Sequence, residues 1–73
     1  MATMQIKSDQ LDSVVTAYVE WHKHSKCVEI AYSAWRGSAL SEQACRYAAY
    51  IEELDREQRA CELYAQTVAR AAA

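Results

Sequence analysis

The apolar positions of this chain form two ladders that step alternately by three and four residues. An α-helix has about 3.6 residues per turn, so each ladder occupies one side of a helix. Gly37 is the only glycine and there is no proline, so the chain has one natural place to reverse. The pattern predicts an all-α, antiparallel two-helix hairpin. The ladder members are Leu11, Val14, Tyr18, Trp21, Ser25, Val28, Tyr32 and Trp35, then Leu40, Ala44, Tyr47, Ile51, Leu54, Gln58, Cys61, Ala65, Val68 and Ala72.

The ladders set the expected element boundaries. We expect one domain over residues 1–73, with helix 1 at about 9–36, the turn at 37–38 and helix 2 at about 39–71. Residues 1–7 should form a short arm. Helix 1 should begin after a serine cap followed by an acidic first turn, which suits the helix dipole.

Four residues are predicted to form the turn and the core: Trp35, Gly37, Trp21 and Leu40. Gly37 sits where a left-handed residue often ends a helix, and Ser38 can cap the next helix at once. Trp35 should then cover the seam between the helices beside Leu40, with Trp21 at mid-seam.

The predicted turn also sets a register. With Gly37 at its centre, Gln58 falls opposite Tyr18 and Ser25 falls near Tyr50, so the tyrosine hydroxyls can satisfy the two polar ladder residues. The basic stretch 22–26 would face an acidic stretch of helix 2. Exposed ion pairs are worth only about 0–1 kcal/mol each, so they would select the register more than they stabilise it.

Size and charge narrow the classes of function. The 73 residues carry 10 acidic and 8 basic side chains, a net charge of −2. This balance disfavours nucleic acid as a partner, because its phosphates favour a basic surface. No apolar run approaches the roughly 20 residues of a membrane span, and the N-terminus lacks the apolar core of a signal peptide. We expect a soluble cytoplasmic protein with no membrane contact.

A small hairpin with one seam usually needs a partner. Several apolar residues lie off the ladders and have no partner in a simple hairpin, and we take them as the candidate partner surface: Val19, Cys27, Ile30, Leu63 and Tyr64. Alanines flank the ladders and would let a second hairpin approach closely. We expect a homodimer or heterodimer in the form of a four-helix bundle.

No catalytic, cofactor or metal site is expected. His24 and Cys27 share a helix face, but His22 points away from them, and even with Cys45 a fourth zinc ligand is missing. His24 and Cys27 as base and nucleophile would lack a pocket and oxyanion donors. Three cysteines do not make a closed disulfide framework, so we interpret them as reduced, small apolar residues. The acidic residues of helix 2 alternate with arginines, as on a solvated, self-paired face.

The segment Trp35-Arg36-Gly37, with alanine and serine on either side, resembles the Trp-x-Gly turn of the WXG family. Members of that family are small helical hairpins and substrates of type VII secretion. The residues from Met4 to Val14 resemble the family's arm and first-helix start, and Tyr47, Tyr50 and Ile51 fall near its second-helix aromatics. The resemblance implies that Trp35 packs at the hairpin end and helps form a dimeric four-helix bundle. It also implies export.

The predicted function is a non-enzymatic protein–protein interaction module, in its leading version a WXG-like dimerising partner protein. One alternative is a small inhibitor or adaptor, encoded by a phage or mobile element, that binds a host protein complex through the off-ladder residues. Another is an RNA-binding hairpin dimer that uses its arginines. Neither the partner nor the process can be named from the residues.

Overall fold

The computed structural model describes residues 8–72 of this protein. It contains two α-helices, α1 (Ser8–Arg36) and α2 (Gln43–Ala72), and one turn of 3-10 helix at Leu40–Glu42 between them. The helices pack antiparallel, side by side, with principal extents of 62 × 15 × 13 Å. The predicted all-α hairpin is confirmed. The predicted arm, residues 1–7, lies outside the described residues.

The end of α1 is closed by a serine. The backbone N–H of Gly37 donates to the Ser33 carbonyl at 3.0 Å, as in a continuing helix. The N–H of Ser38 and its hydroxyl both donate to the Trp35 carbonyl, at 3.2 and 2.7 Å. Gly37 has no positive φ, so the predicted left-handed glycine was wrong. A left-handed residue is not needed, because the Gly37 N–H reaches the Ser33 carbonyl without it and Ser38 satisfies the Trp35 carbonyl.

The start of α2 also differs from the prediction. The Ser38 hydroxyl is bonded to α1, so Ser38 does not cap α2. Ala39 precedes the 3-10 turn, with φ −66° and ψ 155°, and provides no side-chain cap. The α-helix begins at Gln43 rather than at residue 39. The 3-10 turn holds the Leu40 side chain away from the helix pair, 85% exposed. Leu40 is therefore not a core residue, and the prediction that Trp35 packs beside it was wrong.

This longer reversal shifts the register. Tyr18 contacts Tyr64 rather than Gln58, and Tyr50 contacts Tyr32 rather than Ser25. Both partners differ from the expected ones by about two helical turns. The shift follows from the position of the turn, whose centre lies near residue 40 rather than at Gly37. Moving the centre of the turn by one residue changes the residue that faces a given position by about two residues.

The seam of α2 is not its predicted ladder. The half-buried residues that face α1 are Tyr50, Glu53, Glu57, Ala60, Tyr64, Thr67 and Ala71, with Leu54 and Cys61 at the margin. α2 is thus rotated by about 50–100° from the orientation that the ladder predicts. In α1 the ladder is divided: Val14, Trp21, Val28 and Trp35 are half-buried, whereas Leu11, Tyr18 and Tyr32 are exposed.

The predicted attraction of basic and acidic stretches across the hairpin is not what the structure shows. The ion pairs found among residues 8–72 join residues three or four apart on one helix, as in Lys26–Glu29 and Arg56–Glu53. In the shifted register His24 lines a depression together with Arg56 and Arg59. Charge therefore does not select this register, which we attribute to the packing of the aromatic rings.

Candidate interaction surface

One broad side of the hairpin is apolar and exposed, and we call it the ladder face. It carries seven large apolar side chains that are each 38–51% exposed: Leu11, Val15, Tyr18, Tyr32, Tyr47, Ile51 and Val68. By contrast, the one buried apolar residue within the described part of the chain is Ala17, which is 7% exposed. The hairpin thus leaves more large apolar side chains half in water than it buries.

The heptad spacing places these residues on the same side of the seam. Residues seven apart share one stripe of a helix that packs against another. In α1 one such stripe holds Leu11, Tyr18 and Tyr32, and in α2 another holds Tyr47, Leu54, Cys61 and Val68. Each stripe flanks the seam and reaches across it, because the ring of Tyr18 lies 5.7 Å from that of Tyr64 and the ring of Tyr47 lies 5.0 Å from that of Trp35.

Four aromatic residues form a cluster near the reversal, which we call the turn cluster: Tyr32, Trp35, Tyr47 and Tyr50. Trp35 stacks on Tyr50 with ring centroids 5.6 Å apart and an interplanar angle of 14°. Tyr32 lies 5.4 Å from Tyr50, and the Arg36 guanidinium lies 5.9 Å from the Tyr32 ring. Aromatic pairs of this kind add about 0.5–1.5 kcal/mol beyond burial of area, so the turn cluster fixes the two helices at this end.

A second aromatic group, the middle cluster, consists of Tyr18, Trp21 and Tyr64. Trp21 stacks on Tyr64 at 5.3 Å and meets Tyr18 edge-on at 6.2 Å. Its indole Nε1 donates to Oε2 of Glu57 at 2.6 Å. The sequence reasoning missed this hydrogen bond. A seam tryptophan needs an acceptor for its N–H, and that need pointed to a carboxylate on α2.

The opposite side of the hairpin, which we call the groove face, is lined by small and charged residues. Its shallow depressions are formed by Ala17, Ala31, Ala34, Ala49 and Ala60 together with Glu20, His24, Cys27, Ile30, Arg46, Glu53, Arg56, Arg59 and Leu63. Two large apolar side chains, Ile30 and Leu63, are exposed on this face among the small and charged ones. The two faces therefore differ sharply in chemistry.

The predicted partner surface divides among several places. Val19 is exposed on the outer side of α1, whereas Ile30 and Leu63 are exposed at the groove face. Cys27 is half-buried at the groove face. Tyr64 was wrongly placed on this surface. It belongs to the seam, where it stacks on Trp21.

The two histidines, both in the described part of the chain, do not share a site. His24 Nε2 lies 3.9 Å from Glu20 on the same helix, whereas the ring of His22 stacks on Tyr18 at the ladder face. The two histidines thus point to opposite faces. Across residues 8–72, no group of three or more His, Cys, Asp or Glu side chains is arranged to hold a metal ion, and the three cysteines are free.

No helix in the described part of the chain combines the length and hydrophobicity needed to cross a bilayer. Comparisons with protein-family models, with curated proteins and with solved structures find no match to this chain.

Proposed function

We propose that this protein is a non-enzymatic interaction module whose ladder face binds a second helical hairpin to form a four-helix bundle. One observation carries the proposal: the most apolar stripe of α2 lies at the edge of the seam rather than in it, so that its side chains stay partly in water. The seam stripe of α2 contains Glu53, Glu57 and Thr67, whereas the ladder-face stripe contains Tyr47, Leu54 and Val68, with Ile51 beside it. In an isolated hairpin this orientation buries the aromatic stacks of the seam but leaves the aliphatic side chains half in water.

The free energy at stake is large enough to drive association. Complete burial of a large apolar side chain is worth about 1.5–3 kcal/mol. The seven ladder-face side chains are each about half exposed, so covering them would contribute roughly 5–10 kcal/mol per chain. Association costs an estimated 4–15 kcal/mol. Because both chains bury such side chains, the total free energy gained by burial exceeds most of the range estimated for the cost of association.

The orientation also suits a bundle. In a four-helix bundle each helix packs against two neighbours and uses one flank of its apolar stripe for each. Here the ladder of α1 is divided in that way, with Trp21 and Trp35 toward α2 and with Tyr18 and Tyr32 toward solvent. The exposed flank is the one that a second hairpin would cover.

The specific version that we propose is a WXG-like dimerising partner protein. The position of Trp35 supports it, because the indole stacks at the hairpin end on Tyr50 and packs against Tyr47, which is the role that the family's tryptophan plays. We propose a cytoplasmic location; export would follow only from membership of that family.

A second candidate function rests on the exposed apolar residues that lie outside the ladder face. Ile30 is 70% exposed and lies outside the ladder face, and Val19 and Leu63 are also exposed. Such residues would suit a small inhibitor or adaptor that binds a larger protein complex while the ladder face holds the dimer together.

A matched pair of substitutions tests the ladder face. Ile51→Lys places a charge on the ladder face, and Ile30→Lys makes the same change outside it, where the side chain stays in water. A buried, unpaired ammonium is strongly unfavourable. By sedimentation equilibrium we expect wild type and Ile30→Lys to be dimers, and Ile51→Lys to dissociate at least about 100-fold more readily.

Two results would refute the proposal. One is a wild-type protein that is monomeric at all concentrations and melts cooperatively at a temperature independent of concentration. The other is equal dissociation of the two lysine variants.

A further inference from the structure

We infer that the groove face binds an acidic, amphipathic α-helix of a partner protein. The inference rests on the second candidate function proposed above, to which it adds the surface used and the chemistry of the partner. It does not depend on what covers the ladder face, because the two faces lie on opposite sides of the seam and can be occupied at the same time.

The depressions of the groove face join into one groove that runs along the hairpin. Glu53 of the depression at the turn end bonds to Arg56 of the middle depression at 2.6 Å. The middle depression shares Leu63 with the next one toward the open end, and Thr67 continues from there to a depression beside Arg70. A long groove between two helices suits a third helix, which has a diameter of about 10–12 Å.

Every arginine of α2 lines this groove: Arg46, Arg56, Arg59 and Arg70. Arg56 is paired with Glu52 and Glu53, but the other three arginines form no ion pair within residues 8–72. In the whole chain acidic residues outnumber basic ones, 10 to 8. In the groove the arginines outnumber the carboxylates, which are those of Asp12, Glu20 and Glu53. The groove is therefore the surface that attracts a partner with negative charge.

The spacing of the arginines fits one face of a helix. They are ten, three and eleven residues apart in α2, which is about 15, 4.5 and 16.5 Å along the helix axis. Because eleven residues make about three full turns, a helix that lies parallel to α2 can direct carboxylates at all of them from one face. Such a helix carries acidic residues about eleven, three and eleven residues apart.

Two exposed apolar side chains indicate that this helix is also amphipathic. Ile30 lies on the α1 rim of the groove and is 70% exposed, and Leu63 lies on the α2 rim and is 52% exposed. In the observed register they are about 16 Å apart along the groove, on either side of Arg56 and Arg59. The alanines between the rims let a partner backbone approach closely. Apolar residues on the acidic face of the partner would cover both side chains.

A nucleic acid fits the groove less well than a helix does. Phosphates recur at every nucleotide, so a bound strand would bring some of them against the carboxylates of Glu20 and Glu53. An acidic helix can place its carboxylates opposite the arginines alone. The exposed Ile30 and Leu63 also gain nothing from contact with a phosphate backbone. These features favour a protein helix.

A designed peptide tests the groove before any partner is identified. The probe is an alanine-rich helix of about 28 residues that carries glutamates at the spacing given above and two leucines about eleven residues apart on the same face. The control peptide has the same composition and spacing, with the glutamates on the side opposite the leucines. By fluorescence anisotropy at low ionic strength we expect the probe to bind at least about fivefold more tightly than the control peptide. Added salt should weaken its binding.

Matched variants of the protein locate the binding. Combining Arg46→Gln with Arg59→Gln should weaken binding of the probe about tenfold, whereas Lys26→Gln, outside the groove, should weaken it less than about twofold. Ile30→Ser should weaken binding at least about fivefold, whereas Leu40→Ser should leave it unchanged. All five side chains are exposed, so thermal melts should show that each variant is folded.

Several outcomes would overturn the inference. One is equal binding of the two peptides, and another is equal effects of the groove and control variants. An RNA oligonucleotide that binds more tightly than the probe, and that loses affinity with the arginine variants, would assign the groove to nucleic acid. Oligomers larger than a dimer that disappear with Arg59→Gln would assign it to further copies of this chain.

The failure of this inference can be told apart from the failure of the bundle proposal. A stable dimer that does not bind the probe overturns the helix in the groove and leaves the ladder face as proposed. A monomer that binds the probe refutes the bundle and leaves the groove as inferred.

Discussion

Trp21→Phe should destabilise this protein more than Trp35→Phe, although both changes trim the same indole ring. The Trp21 indole donates to the Glu57 carboxylate at 2.6 Å and stacks on Tyr64 at 5.3 Å. Trp35 stacks in the same manner on Tyr50, but within the described residues no hydrogen bond from its indole is found. The difference between the two variants therefore measures the hydrogen bond.

The two contributions can be estimated separately. Trimming a half-buried indole to a phenyl ring removes a few tens of Å² of contact, about 1 kcal/mol at 25 cal/mol per Å². A hydrogen bond to a charged group contributes about 1.5–3 kcal/mol when buried. Trp21 and Glu57 are half-buried, so we take the low end, about 1–1.5 kcal/mol. We expect a loss of about 2–2.5 kcal/mol for Trp21→Phe and about 1 kcal/mol for Trp35→Phe.

The free energies of unfolding would come from urea denaturation at one fixed protein concentration, since a dimer's stability depends on concentration. A double-mutant cycle with Glu57→Gln should give a coupling of about 1 kcal/mol to Trp21→Phe and none to Trp35→Phe. Losses for the two phenylalanine variants that agree within about 0.3 kcal/mol would show that the hydrogen bond does not contribute to stability and that our reading of the middle cluster is wrong.

Two further predictions concern the reversal. Gly37→Ala should leave the free energy of unfolding unchanged or raise it by up to about 1 kcal/mol, because the φ of Gly37 is not positive and alanine restricts the unfolded chain. An added Cβ would lie 3.4 Å from the Ser33 carbonyl oxygen. A thermal melt that shows a loss of stability above about 1 kcal/mol would indicate a left-handed glycine after all. Leu40→Ala should change stability by less than about 0.5 kcal/mol, whereas Leu54→Ala, half-buried, should cost about 1–2 kcal/mol; equal losses by urea denaturation would place Leu40 in the core.

The sequence suffices to predict two helices and the region where the chain reverses. A three-and-four periodicity has few structural solutions, and a chain with one glycine and no proline offers few places to turn. The form of the reversal could not be predicted in the same way. Ser38 has one hydroxyl that could cap either helix, and local sequence does not decide between them. Its bond to the Trp35 carbonyl lengthens the turn, and the longer turn moves every facing pair along α2.

The rotation of α2 has a different cause. A hydrophobic ladder shows which side of a helix is covered, but not what covers it. The ladder residues from Tyr47 to Val68 are predicted to pack against α1, since a hairpin considered alone offers no other surface to cover them. In the structure Tyr50, Glu57 and Tyr64, which are not ladder residues, contact α1, and Tyr47 contacts it only at the turn end. An aromatic ring can pack in the seam while its polar atom, or a neighbouring carboxylate, stays in water at the edge, whereas Leu54 and Val68 gain only from a dry contact. A mixed stripe therefore suits a narrow two-helix seam, and a purely apolar stripe suits the centre of a larger bundle. The ladder in α2 is better explained by the surface that a second hairpin would cover than by the seam with α1.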